Sequence, residues 1–185
     1  EVIKNSKFLF LEGYLVASPE GFESYKKAIN LANAHDTKVA ISLSDPFIVN
    51  TFKKELKELI EIKCDFIFCN EDEAAEFAES REEDEIFTCF KNYTSNLLVT
   101  KGPKGCKGYD EDGTINIPGL EVNAIDTNGA GDMFAGAVLY GLNESKSLSA
   151  SANFGCFAAS KIVQSSGPRL TKDEYLKIKE TFSSY

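Results

Sequence analysis

Short, continuous apolar runs alternate along the chain with longer segments in which apolar residues recur every three or four positions. FLFLEG at 8–13, KVAISLS at 38–44, DFIFCN at 65–70 and NLLVTKG at 96–102 are runs of the first kind. A strand without in/out alternation is buried on both faces, which predicts a parallel sheet covered by helices. Between the runs, Phe22, Tyr25, Ile29 and Ala32 within 21–34, and Phe52, Leu56, Leu59 and Ile60 within 50–62, fall at helical spacing. These segments read as amphipathic crossovers.

After residue 102 the pattern changes. GCKGYDEDGTINIP at 105–118 reads as a hairpin whose turn is DEDG, between Tyr109 and Thr114, and a strand-like EVNAID at 121–126 follows. The remainder is helical: Ala130, Phe134, Ala137 and Val138 share one face, and Leu148, Ala152, Cys156, Ala159 and Val163 share another. A closing helix starts from Thr171. With no internal repeat and no linker, the expected fold is α/β, a single three-layer core with a mostly parallel sheet flanked by helices over residues 1–185. The order of strands in the sheet is not readable from this pattern.

Composition narrows the function classes. Of 185 residues 43% are apolar, enough for a full core, and 13 glycines with 5 prolines exclude collagen-like and low-complexity readings. A net charge of −9 lacks the electrostatic footprint of a nucleic-acid or anionic-membrane binder, so small molecules or proteins are the expected partners. Residues 71–85 hold nine acids against Arg81 alone, which leaves the rest of the chain near neutrality and free to hold an anion. The acidic stretch itself reads as a solvated helical face.

Five cysteines at 64, 69, 89, 106 and 156 form no C-x-x-C pair, and with one histidine they indicate neither a disulfide framework nor a zinc site. A reducing, cytoplasmic setting fits them. His35 lies in a polar stretch suited to a helix C-terminus, so triads and histidine-based metal sites lose their ground. No apolar run has the length of a membrane span, and no leader is recognisable. The only methionine is Met133, so the chain is expected to be a piece of a longer protein.

The most informative stretch is Asp126-Thr127-Asn128-Gly129-Ala130-Gly131-Asp132, between a strand-like segment and a helix. Small residues there leave backbone N–H groups uncovered at a helix N-terminus, where unpaired donors and the helix dipole favour an anion. Gly129, Ala130 and Gly131 would surround a transferring phosphoryl group, and Asp132 in the first turn would take the proton of an attacking hydroxyl. On local evidence alone, Asp and Gly could equally do no more than cap a helix.

This heptapeptide and its sequel Met133-Phe134-Ala135-Gly136-Ala137-Val138-Leu139 resemble the C-terminal signature of the PfkB, or ribokinase-like, family of carbohydrate kinases, with features of its adenosine-kinase-like branch. Gly136 adds weight, because a glycine inside a helix costs roughly 1 kcal/mol relative to alanine and implies close packing or ligand approach. The resemblance covers essentially the whole chain but only the second half, or slightly more, of a family member. The small β-sheet lid and the residues that recognise the acceptor would lie in the N-terminal half.

Further residues gain roles from the resemblance. Asn70 and Glu73, in C-N-E-D-E-A-A-E at 69–76, match the family's N-x-x-E element, whose Asn and Glu help place magnesium and phosphate, often through water. The same two residues also read as a capping box, and the roles are compatible. Thr100, Gly102 and Gly105 match the turn that lies against nucleotide phosphates and ribose, although a plain turn explains them as well. Asn153 occupies the helix that flanks adenine in relatives. Gly167-Pro168-Arg169 resembles a loop that, with carbonyls around Asp126, holds a monovalent cation such as K+ in some members.

The resemblance therefore implies a kinase that uses ATP and Mg²⁺ to phosphorylate a hydroxymethyl group of a small-molecule sugar or nucleoside. A homodimer of the full-length protein is compatible with it, and the 185-residue piece alone is expected to be inactive. The alternatives are a non-catalytic nucleotide- or sugar-binding regulatory homologue, against which Asp132 argues, and a bare structural module, which leaves the motifs unexplained.

Overall fold

A computed structural model describes residues 1–185. Six strands, β1 (Phe8–Glu12), β2 (Lys38–Ser42), β3 (Phe66–Asn70), β4 (Leu97–Thr100), β5 (Gly105–Asp110) and β6 (Gly113–Pro118), form one sheet in the order in which they occur along the chain. β1, β2 and β3 run parallel, with Phe10 opposite Ala40 and Ala40 opposite Phe66. Parallel neighbours require crossovers. These are α1 (Pro19–Asn33), then α2 (Pro46–Thr51) with α3 (Lys53–Ile62), then α4 (Glu71–Ala78) with α5 (Glu83–Phe90). β5 and β6 are joined by Glu111 and Asp112 alone, and the Asp110 carboxylate accepts the N–H groups of Asp112 and Gly113 across that hairpin. The sheet is mostly parallel and flanked by helices, the architecture expected from the uninterrupted apolar runs.

By contact density the chain divides into two compact units, residues 1–99 with 108–113, and residues 100–107 with 114–185. In the first, β2 and β4 bury Val39, Ile41, Leu97 and Val99 among Ile29 of α1, Leu56, Leu59 and Ile60 of α3, and Phe77 of α4. Phe77 stacks on Phe90 at 4.8 Å between ring centroids, with Tyr93 edge-on at 5.4 Å. Helix starts follow capping chemistry. Ser18 accepts from the N–H of Gly21 ahead of Pro19, and Asp45 accepts from that of Phe47 ahead of Pro46.

That second cap corrects the expected 50–62 helix. Asp45 and Pro46 start a helix earlier, and the backbone leaves helical geometry at Phe52 (φ −120°, ψ 29°), so two helices stand where one was expected. His35 is exposed just beyond α1, as expected for a helix end. The acids of 71–85 cluster in the first turns of α4 and α5, where the helix dipole favours them.

The second unit is built on α6 (Ala130–Asn143) and α7 (Leu148–Ile162), closed by α8 (Lys172–Glu180), which a Thr171–Glu174 capping box begins. The helix pair packs through small residues. A Cβ at Gly155 would lie 2.8 Å from Val138, and one at Gly141 would lie 2.5 Å from the Ser151 hydroxyl. An aromatic cluster of Tyr140, Phe154, Phe182 and Tyr185 covers one end.

EVNAID at 121–126 is not a strand. Its alternation is not matched by burial, since Ile125 is 67% exposed, and the N–H groups of Ile125 and Asp126 go to the Val163 carbonyl at the end of α7 and not to a neighbouring strand. The segment is an extended loop that delivers the chain to α6.

Candidate active site

α6 begins on Gly129, whose backbone is left-handed (φ 78°, ψ 1°), and no side chain caps the helix. Only glycine suits this point, because a Cβ there would also lie 2.8 Å from the Pro168 carbonyl oxygen. Asp126 braces the turn. Its Oδ1 accepts the N–H of Asn128 at 3.0 Å and its Oδ2 that of Gly167 at 2.9 Å. Those bonds, the Asn128 one foremost, hold the Asp126 carboxyl below its ordinary range.

Within the helix the N–H of Met133 returns to the Gly129 carbonyl at 2.9 Å, whereas Gly131 and Asp132, at the second and third positions, have no intrahelical acceptor for theirs. A Cβ at Gly131 would meet nothing within 4 Å. The start of α6 is thus rigidly placed, uncapped and open.

Two cavities adjoin it. One, of about 470 Å³, is lined by Ala130 and Gly131 together with Thr100, Gly102 and Gly105, so five residues singled out in the sequence share its wall. The turn that supplies the last three is tightly fixed: the Lys101 N–H donates to the Gly105 carbonyl at 2.8 Å, and Gly105 has φ 93° in close approach to the Ile117 carbonyl. The other cavity, of about 440 Å³, is lined by Asp132, Met133, Gly136, Tyr140 and Arg169. Asp132 is exposed at its edge. A Cβ at Gly136 would touch nothing within 4 Å, so close packing inside this chain does not account for that glycine.

Asn153 is not brought to either cavity. It is exposed on α7, on the stripe of Ser160 but seven residues earlier, about 10 Å along the helix axis. The α7 residues that do line the first cavity are Cys156, Ala159, Ser160 and Val163. Sequence reasoning missed these as site residues because they also fit a core stripe. It missed Leu120 and Val122 too, which line the same cavity: Val122 lies in the segment expected to be a strand, and Leu120, 38% exposed, lies just before it.

In the other unit, Asn70 and Glu73 form a reciprocal cap at the start of α4. The Glu73 N–H donates to Asn70 Oδ1 at 2.8 Å, the Asn70 N–H to Glu73 Oε2 at 3.0 Å, and Asn70 Nδ2 to Glu73 Oε1 at 2.6 Å. Glu73 is buried, and burial first, then the nearby Asp45 and Asp72 carboxylates, push its carboxyl up to about 7 against the lowering effect of the Asn70 N–H. A buried carboxylate under the influence of other carboxylates suits a cation. No group of three ligand-type side chains is assembled here, so an ion would keep most of its waters, as Mg²⁺ does.

The pfkB family carbohydrate kinase model matches residues 1–174. Adenosine kinase 2 of Arabidopsis thaliana is 29% identical over 183 residues, which cover 90% of this chain and 52% of that protein. The ribokinase of Lactococcus lactis is 35% identical over 103 residues, 56% of this chain and 33% of that one. Among solved structures, the adenosine kinase of Sinorhizobium meliloti superposes with a TM-score of 0.91 at 26% identity, over 97% of this chain and 55% of its own. An E. coli structure described as a putative ribokinase II in complex with ATP and Mg²⁺ shares the fold, with a TM-score of 0.84 at 17% identity over 100% of this chain and 61% of that one. The chain spans about half the length of the curated relatives it matches over most of its residues. No helix is long and apolar enough to cross a membrane.

Proposed function

The chain belongs to the pfkB family of carbohydrate kinases, and from that premise we propose that it is the nucleotide- and phosphate-handling part of a longer ATP-dependent kinase whose acceptor is a hydroxymethyl group of a sugar or nucleoside. The likeness to adenosine kinases over most of the chain supports a nucleoside as the first acceptor to try. The observation that carries the reading is the uncapped start of α6, open toward a cavity that it shares with the Thr100–Gly105 turn.

In this reading the nucleotide lies in the 470 Å³ cavity, with its phosphates directed to the N–H groups of Gly131 and Asp132. Helix-terminal donors attract negative charge without reorganising, which is the preorganised stabilisation that phosphoryl transfer needs. Asp132, in the same turn, accepts the proton of the attacking hydroxyl as it bonds to phosphorus, and ADP leaves. Proximity of base and phosphoryl site along one helical turn supplies orientation.

Mg²⁺, when bound, would neutralise charge on the phosphate oxygens, with Glu73 and Asn70 holding it through its waters. A monovalent cation would sit between Gly167–Arg169 and the carbonyls around Asp126. Its support is that the two segments meet through the Gly167 N–H. Recognition of the acceptor and closure of the lid are assigned to the remainder of the protein, so the 185-residue chain should bind ATP weakly and transfer nothing.

The test is a calorimetric titration of the chain with ATP and magnesium, beside a phosphotransfer assay of the full-length protein on adenosine, ribose and fructose. Phosphorylation of one acceptor by the full-length protein is expected. No phosphorylation of any acceptor, with no heat from ATP, would overturn the proposal.

A further inference from the structure

The end of α7 and the start of α6 meet through a short network of hydrogen bonds inside the second unit. Val163 closes α7, and its carbonyl, one of those a helix end leaves without an intrahelical partner, accepts the N–H groups of Ile125 at 2.7 Å and Asp126 at 3.2 Å. Asp126 returns the link with its side chain. Oδ1 takes the Asn128 N–H at 3.0 Å, and Oδ2 takes at 2.9 Å that of Gly167, 41 residues away in the chain. Gly129 and Pro168 close the same junction, near enough that a Cβ on Gly129 would lie 2.8 Å from the Pro168 carbonyl oxygen. Val163 on one side and Thr127, Ala130 and Gly131 on the other also line the 470 Å³ cavity, so both ends of the network reach its wall.

We propose that Asp126 is a positioning residue for phosphoryl transfer, joining the end of α7 to the start of α6 so that the N–H groups of Gly131 and Asp132 are already in place when a nucleotide enters the cavity. This role rests on the kinase reading above. A carboxylate suits it because both oxygens accept, one from each segment, and a charged acceptor holds an N–H more firmly than an amide oxygen does. In Asp126→Asn one of the two oxygens becomes an NH2 group, a donor set against a donor, and one segment is released. The variant keeps the size and shape of a half-buried side chain, so the loss falls on placement and not on packing. Asp126 acts through the turn and not on the reacting atoms, and a displacement of about 1 Å there costs roughly 10²-fold in rate.

In the full-length protein, Asp126→Asn should lower kcat about tenfold or more and raise the KM for ATP several-fold, whereas a mere loss of folded protein leaves every KM unchanged. In the ¹⁵N-labelled variant chain, ATP should still move the amides of Gly102 and Gly105 but no longer those of Gly131 and Asp132. A third measurement needs no variant and decides the matter even if Asp126→Asn folds poorly. In the unsubstituted chain ATP should slow amide exchange at Gly167, which lies outside the cavity wall, together with exchange at Gly131. Unchanged kcat and ATP KM in Asp126→Asn, or exchange at Gly167 untouched by ATP that protects Gly131, would overturn this role and leave the kinase reading standing. An unsubstituted full-length protein that neither binds ATP nor phosphorylates an acceptor would overturn both.

Discussion

Two helix starts in this molecule look alike in sequence and differ in chemistry. α4 opens with acids behind an asparagine, and its first turn is closed by the Asn70–Glu73 pair, which meets its own N–H groups with side-chain oxygens. α6 opens with glycines and an acid, and nothing in the chain meets the N–H groups of Gly131 and Asp132. The first arrangement stabilises the fold by about 1 kcal/mol, and the second forgoes that gain. A helix that forgoes its cap, is braced underneath by Asp126 and opens on a cavity leaves its donors available, which is the basis of the proposed phosphate site.

The contrast breaks most visibly at Asp132. In the full-length protein, read as the proposed kinase, Asp132→Asn should lower kcat by roughly 10²-fold or more with little change in ATP affinity, since a general base acts in the transition state. Steady-state kinetics check this, and unaltered turnover removes the base from the account.

Next come the two glycines. Gly131→Val has open space and should leave the melting temperature of the chain nearly unchanged, yet its branched side chain obstructs the N–H groups, and losing one charge-assisted contact of about 1.5–3 kcal/mol weakens ATP binding roughly tenfold or more. Gly129→Ala should do the opposite first, destabilising the unit by about 1–2 kcal/mol through its positive φ, before binding is considered. Thermal melts and titrations on both variants separate fold from function.

At α4 the effects are on stability. Asn70→Ala should cost about 1 kcal/mol by chemical denaturation. The raised Glu73 carboxyl adds a pH dependence. Between its ordinary value of 4.5 and about 7, the folded chain keeps a proton on Glu73 that the unfolded chain releases, so stability falls as pH rises through that window and levels off above it. The full change is roughly 3 kcal/mol, and Glu73→Gln should flatten this part of the profile. The smallest effect is at Gly136, where alanine should stabilise α6 by about 0.5–1 kcal/mol because a Cβ there touches nothing.

The strands and most crossovers were legible because burial on both faces writes continuous apolar runs, as in KVAISLS and NLLVTKG. EVNAID was not, because two backbone N–H groups found the Val163 carbonyl, a tertiary partner that no local pattern announces. At the site, the glycine-rich helix start, the turn after β4 and the capping box were readable because each is a local arrangement. The meeting of Thr100, Gly105 and Gly131 around one cavity was expected from family resemblance and is not written in spacing. Cys156 and Ser160 could not be told from core, since a cavity wall and a packed interface use the same helical period.

Whether the α6 start receives nucleotide phosphate is decided by amide NMR of the ¹⁵N-labelled chain titrated with ATP. The amides of Gly131 and Asp132 should move most, together with Gly102 and Gly105, while those of the capped α4 start at Glu71 to Glu73 stay in place until magnesium is added. Saturating shifts elsewhere, with Gly131 and Asp132 unmoved, would contradict it.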